Sequence, residues 1–108
     1  MENSALENLQ LQGNPFQNVP AEIGNLTHLR ILNISRTNIE TLPQSIEKLQ
    51  NLAELYLTEI PLQILPVEIT SLSNLRFLSL EDTEIDSKEA QNKNILKQLK
   101  STGCKIIR

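Results

Sequence analysis

Apolar residues recur along this chain in a phrase of fixed length. Leu6, Leu29, Leu52 and Leu75 lie 23 residues apart, and each opens the spacing leucine, two variable residues, leucine, one variable residue, leucine or isoleucine. The phrases run Leu6, Leu9, Leu11 and Phe16; Leu29, Leu32, Ile34 and Ile39; Leu52, Leu55, Leu57 and Leu62; Leu75, Leu78, Leu80 and Ile85. A second phrase follows the first three: Val19, Pro20, Ile23, Leu26; Leu42, Pro43, Ile46, Leu49; Leu65, Pro66, Ile69, Leu72. Each of these slots is filled although hydrophobic residues make up only 39% of the chain, so the period decides the architecture. Pairs such as Leu32 and Ile34 alternate with variable residues, which is the period of a short strand with one buried face. Ile46, Leu49 and Leu52 fall at intervals of three, as on the inner edge of a 3₁₀ or loose helical turn. Pro20, Pro43 and Pro66 repeat at the same period, and a residue with fixed φ and no donor suits the entry to such a segment.

The pattern over residues 6–85 resembles the leucine-rich repeat family in its Leu-Pro-x-x-Ile-x-x-Leu form. It is similar to small bacterial leucine-rich repeat proteins and to the repeats of plant immune receptors. The resemblance implies an α/β fold: a short solenoid with a parallel sheet on its concave face and 3₁₀ or loose helical return segments. One unit cannot bury its apolar face alone, so the coils must stack. The family usually carries asparagine nine positions into the unit, where its amide satisfies backbone groups of the turn. Here that position holds Asn14, Thr37, Ile60 and Thr83. A hydroxyl replaces part of the bonding and Ile60 none of it, so a looser turn is expected in the third coil.

Beyond Ile85 the period stops. Asp86-Ser87-Lys88-Glu89 has the spacing of a capping box with Asp86 as N-cap, which predicts a helix starting there. Ile95, Leu96 and Leu99 give it one apolar stripe, Lys88, Lys93, Lys97 and Lys100 take wetter faces, and Gly103 stops it. Residues 105–107 then add a last strand. End coils of a solenoid would otherwise show core to water, so 86–108 reads as a C-terminal cap; it also resembles the closing helix and Cys-Lys-Ile strand of small bacterial members. The expected organisation is one domain over 1–108, with repeats 6–28, 29–51, 52–74 and 75–85 and the cap 86–108.

Charge and rare residues narrow the chemistry. A net charge of -3 and a pI near 5.1 argue against sequence-independent nucleic-acid binding, which rests on neutralising phosphates. Neither a signal peptide nor an apolar run of membrane-spanning length is visible, which leaves the cytoplasm or secretion by a signal-independent route. Cys104 is the single cysteine and is expected in the core, so no internal disulfide or thiolate cluster can form. His28 is the single histidine and shares its register with Asn51 and Asn74, as a polar residue of the repeat turn. Neither a catalytic triad nor a histidine metal site can be assembled from these, and three glycines build no phosphate loop. The reading is a non-enzymatic chain with no cofactor.

Function then falls to the strand face that points away from the core. Tyr56 and Phe77 lie there on adjacent coils, with Ile31 beside them, while Phe16 is assigned to the core. Aromatic side chains carry interface energy, so these are the expected anchors. Asn33, Arg36, Glu54, Glu59, Glu81 and Asp82 complete the candidate set, and four acids against one base suit a basic or mixed polypeptide. Four strands about 4.8 Å apart span only about 15 Å, short of the roughly 800 Å² per partner of a standard interface. The chain should therefore bind a short peptide, act as an oligomer, or be part of something longer. Because only five residues precede Leu6, the outer flank of Leu6, Leu9, Leu11, Phe16, Val19, Ile23 and Leu26 is expected to lie open, and either a homodimer through the N-terminal coil or a native chain that continues upstream of Met1 is expected to cover it. The alternatives are a structural, self-assembling repeat unit, or a fragment of a larger leucine-rich repeat receptor or bacterial effector.

Overall fold

The computed structural model describes residues 5–108. Five three-residue strands, β1 Asn8–Gln10, β2 Ile31–Asn33, β3 Glu54–Tyr56, β4 Phe77–Ser79 and β5 Lys105–Ile107, form one parallel sheet in chain order. Leu9, Leu32, Leu55, Leu78 and Ile106 stand in register across it and point to the interior. Return segments Ala21–Asn25, Gln44–Lys48 and Val67–Ser71 are 3₁₀ turns, each entered from its proline in extended backbone. Their bonds close over three residues: Ile23, Ile46 and Ile69 donate to the carbonyls of Pro20, Pro43 and Pro66. The isoleucines and the leucines that follow them are buried, so the period of three does face inward. The result is the expected solenoid.

Coils one and two pack tightly at Gly24, where an added Cβ would lie 2.9 Å from both the Cβ and the carbonyl oxygen of Ser45. The positions one and two repeats on hold Glu47 and Thr70, so this contact belongs to the first pair of coils alone. Side-chain ladders add to the stack. Asn51 Nδ2 donates to the Thr27 carbonyl at 3.0 Å and Asn74 Nδ2 to that of Gln50 at 2.7 Å. His28 sits one repeat earlier in that register, exposed, and its corresponding partner position lies outside the described residues.

Three expectations need correction. The capping helix, α1, runs Ala90–Ser101, one turn later than the Asp86 box predicts. Asp86 Oδ1 instead accepts from the Lys88 N–H and closes a local turn, while Glu89 caps α1 by accepting from the Asn92 N–H. Phe16, assigned to the core, is 42% exposed, because no coil among the described residues lies against its flank. The turn at Ile60 is no looser than its neighbours: Glu59 has φ 56°, against 55° at Arg36 and 57° at Asp82. Thr37 and Thr83 bond their hydroxyls to the carbonyls three residues back, and Ile60 holds the same backbone by burial in the core.

Helix α1 buries Ile95, Leu96 and Leu99 as the stripe predicts. Asn92 stands on that stripe too. It is fully buried, and its amide bonds Leu65 N–H at 2.8 Å, the Gln63 carbonyl at 2.9 Å and the Asp86 carbonyl at 3.0 Å. With Gln91, whose amide donates to the Leu65 carbonyl at 2.8 Å, it ties the cap to the third coil. Cys104, just before β5, is buried, and desolvation pushes its thiol above the ordinary range.

Candidate functional site

Residues that alternate with the core leucines form two outward columns across the sheet. One runs Asn8, Ile31, Glu54, Phe77 and Lys105; the other runs Gln10, Asn33, Tyr56, Ser79 and Ile107. Pairing of β5 with β4 adds Lys105 and Ile107, which the sequence reading left off the concave face. Five strands about 4.8 Å apart widen that face to about 19 Å.

Tyr56 and Phe77 are diagonal neighbours on β3 and β4, with ring centroids 5.2 Å apart and planes tilted by 46°. That separation is within the range favoured by aromatic pairs, and such pairs add about 0.5–1.5 kcal/mol beyond their burial. Tyr56 donates its phenol hydrogen to Glu54 Oε1 at 2.5 Å, which holds the ring over the sheet. The bond to Glu54, then partial burial, then the nearby carboxylate charge raise the phenol above its ordinary pKa. Ile31 lies half-buried beside Glu54 on the next strand. The centre of the face is thus a preformed apolar step with one carboxylate already engaged.

Hydroxyls underneath it are inaccessible. Ser79, in the second column, is 3% exposed, and Ser35, just past the end of β2, is 8% exposed, so neither has surface for a partner. They join the framework instead: the Thr58 N–H donates to Ser35 Oγ at 3.0 Å, and the Thr58 and Ser79 hydroxyls share a hydrogen bond. Asn33, half-buried, accepts from the Ser35 N–H through its Oδ1 at 3.0 Å.

Past the C-terminal ends of the strands come Arg36, Glu59, Glu81 and Asp82, all exposed. Arg36, Glu59 and Asp82 have left-handed backbone, where coil one uses Gly13. Left-handed backbone costs an L-residue roughly 1–2 kcal/mol, yet these coils place charged side chains there. Glu59, Asp82 and Glu84 line a shallow cleft with Thr37, Asn38, Ile60 and Pro61. The opposite edge carries the column Glu7, Arg30, Ala53 and Arg76, where Arg30 makes a 3.8 Å ion pair with Glu7. Acid therefore gathers at one edge of the concave face and base at the other, a division that the alternating pattern does not reveal.

The structure brings Ile31, Asn33, Glu54, Tyr56 and Phe77 together on the strands and sets Arg36, Glu59, Glu81 and Asp82 along one rim. A model described as a leucine-rich repeat region matches residues 3–104. This chain belongs to the leucine-rich repeat family. Among solved structures it is similar to a leucine-rich repeat protein of Leptospira interrogans, at 34% identity and TM-score 0.86, over 95% of this chain and 25% of that one. It also shares its fold with the functional domain of InlJ from Listeria monocytogenes, at 18% identity and TM-score 0.71, over 98% of this chain and 20% of that one. The chain thus spans about a quarter or less of these relatives. No curated protein matches it. Family and fold together suggest a protein-interaction module.

Away from the strand face, the first coil leaves an apolar hollow of about 180 Å³ lined by Leu11, Phe16, Val19 and Ile23, with Leu32, Ile34 and Ile39 of the next coil. Ile23 and Leu26 are buried, so the flank expected to lie open does so only around Phe16 and the half-buried Leu6, Leu9 and Leu11. Among the described residues no group of histidine, cysteine or carboxylate side chains is placed to hold a metal ion, and no helix is long and apolar enough to cross a membrane.

Proposed function

We propose that this chain binds a polypeptide, without catalysis, through its concave strand face. The contact of Tyr56 with Phe77 carries the reading. Two of the three aromatic residues of the chain meet on central strands of this face, and the Glu54 bond already orients Tyr56. Preorganised aromatic side chains are the usual anchors of protein interfaces. Ile31 and Ile107 extend the apolar step, and Arg36, Glu59, Glu81 and Asp82 form a charged rim that selects rather than anchors. With about 19 Å of sheet, an extended segment of a partner fits better than a folded surface. The similarity to the Leptospira protein favours a bacterial origin.

Peptides selected from a random display library on the immobilised protein test this. Tyr56→Ala and Phe77→Ala should each weaken their binding by about 1 kcal/mol or more with folding intact. Unchanged affinity in both variants would move the site off this face.

A second reading concerns assembly. The hollow beside Phe16 and the outer edge of β1 favour a two-fold contact between N-terminal coils, since an open strand edge and an apolar patch both invite association. Light scattering should then show a dimer at micromolar concentration that Phe16→Glu dissociates; a monomer would remove this reading.

A further inference from the structure

At the N-terminal edge of the sheet, one position in the column Glu7, Arg30, Ala53, Arg76 is small. Ala53 lines a cleft of about 390 Å³ together with Arg30 and Arg76 of the adjacent coils, and Glu7, His28, Asn51 and Asn74 complete its lining. Arg30 and Arg76 belong to alternate coils, so with parallel strands about 4.8 Å apart their backbones stand about 10 Å apart, one on each side of Ala53. Both guanidinium groups can reach a group lying over the alanine, and their planar forks match a carboxylate. Glu7 engages only Arg30, at 3.8 Å. Arg76 is exposed with no ion-pair partner among the described residues. Asn51 and Asn74 already spend an amide hydrogen on the backbone, so the cleft is rigid on that side.

The cleft lies at the N-terminal ends of the two strands that carry the anchors. Ala53 precedes Glu54 and Tyr56 on β3, and Arg76 precedes Phe77 on β4. A segment lying along β3 over Tyr56 would reach the cleft at one end and the acids Glu59 and Asp82 at the other. Five residues of strand separate Ala53 from Thr58, about 16 Å.

We infer that the notch between Arg30 and Arg76 takes the side-chain carboxylate of an aspartate or glutamate in the bound polypeptide, and so fixes which end of that polypeptide lies at the N-terminal edge of the sheet. The inference rests on the concave-face reading and adds a requirement for an acidic residue in the partner. Exposed arginines and a low affinity set the scale: an acidic residue should strengthen binding about fivefold, the effect of roughly 1 kcal/mol at a solvent-exposed pair.

Two octapeptides, acetylated and amidated so that only side chains carry carboxylates, provide the test. One has the sequence order Asp-Glu followed by Leu, Tyr and Lys residues; its twin has Asn-Gln in place of Asp-Glu. Backbone amide shifts of ¹⁵N-labelled protein read position and affinity together. The acidic peptide should bind about fivefold more tightly than its twin and move the amides of Ala53 and Arg76 along with those of Tyr56 and Phe77. The preference should vanish in the Arg30→Ala, Arg76→Ala double variant. It should also vanish in Ala53→Glu, which fills the notch with its own carboxylate at a position where the neighbouring coils already carry long side chains. Equal affinity of the twins, or a preference that survives both variants, overturns the notch while leaving the concave face in place if Tyr56 and Phe77 still respond. Peptides that move neither Tyr56 nor Phe77 overturn both.

Discussion

Asn92 on α1 accepts a 2.8 Å hydrogen bond from the backbone N–H of Leu65, and with the Gln91 amide, which donates to the Leu65 carbonyl at 2.8 Å, it joins the C-terminal cap to the third coil. Its Nδ2 is equally committed, to Gln63 and Asp86 carbonyls. The neighbours of Asn92 on the stripe, Ile95 and Leu96, supply apolar burial without fixing register, whereas the amide specifies one seating of the helix.

Asn92→Leu should therefore destabilise the chain by roughly 3 kcal/mol, since it leaves buried backbone groups without partners at about 1–3 kcal/mol each. Ile95→Val, which removes one methyl from the same interface, should lose only about 1 kcal/mol. Urea unfolding of both variants checks the ranking; an Asn92→Leu chain as stable as the parent would mean that water or relaxed backbone satisfies those groups.

Glu59 offers the opposite sign. Its φ of 56° is left-handed backbone that glycine adopts freely, as Gly13 does at the same turn of coil one. Glu59→Gly should raise stability by about 1 kcal/mol. If the rim acids meet basic residues of a partner, the same variant should weaken such peptides and flatten their salt dependence. Stability from thermal unfolding and affinity at two salt concentrations should thus move in opposite directions.

Tyr56 is the only tyrosine, so its phenol can be titrated by ultraviolet difference absorbance without overlap. The midpoint should lie above the ordinary 10.0, and Glu54→Ala should lower it by removing the hydrogen bond and the carboxylate charge. Because the folded chain holds this proton more tightly than the unfolded chain, the contribution of the bond is complete below pH 10.0 and is lost as pH rises through the folded value. A midpoint at or below that of free tyrosine would show that the phenol does not donate to Glu54.

Much of this molecule is written in the spacing of its apolar residues. Leu32, Leu55 and Leu78 set the strands, the three prolines set the 3₁₀ entries, and Ile95, Leu96 and Leu99 set the buried face of α1, because each follows from a period that local sequence displays. The helix start misled since Asp86 fits a capping box and an Asx turn alike, and tertiary demand for Asn92 at the Leu65 amide decides between them. Phe16 occupies a repeat position that is interior only when another coil covers it, which the repeat itself does not say. On the strand face, Tyr56, Phe77 and Ile31 were legible from alternation. Burial of Ser35 and Ser79 was not, since small hydroxyls sink between larger neighbours, and Lys105 joins the face only through the register of β5 with β4.

Mapping of the bound segment goes most directly to the central claim. Titrating ¹⁵N-labelled protein with a peptide selected from a random library should move the amides of Ile31, Asn33, Glu54, Tyr56 and Phe77 and leave those of the 3₁₀ turns and α1 in place. Shifts gathered on α1, on the return segments or around Phe16, with the strand amides unmoved, would contradict a concave polypeptide-binding face.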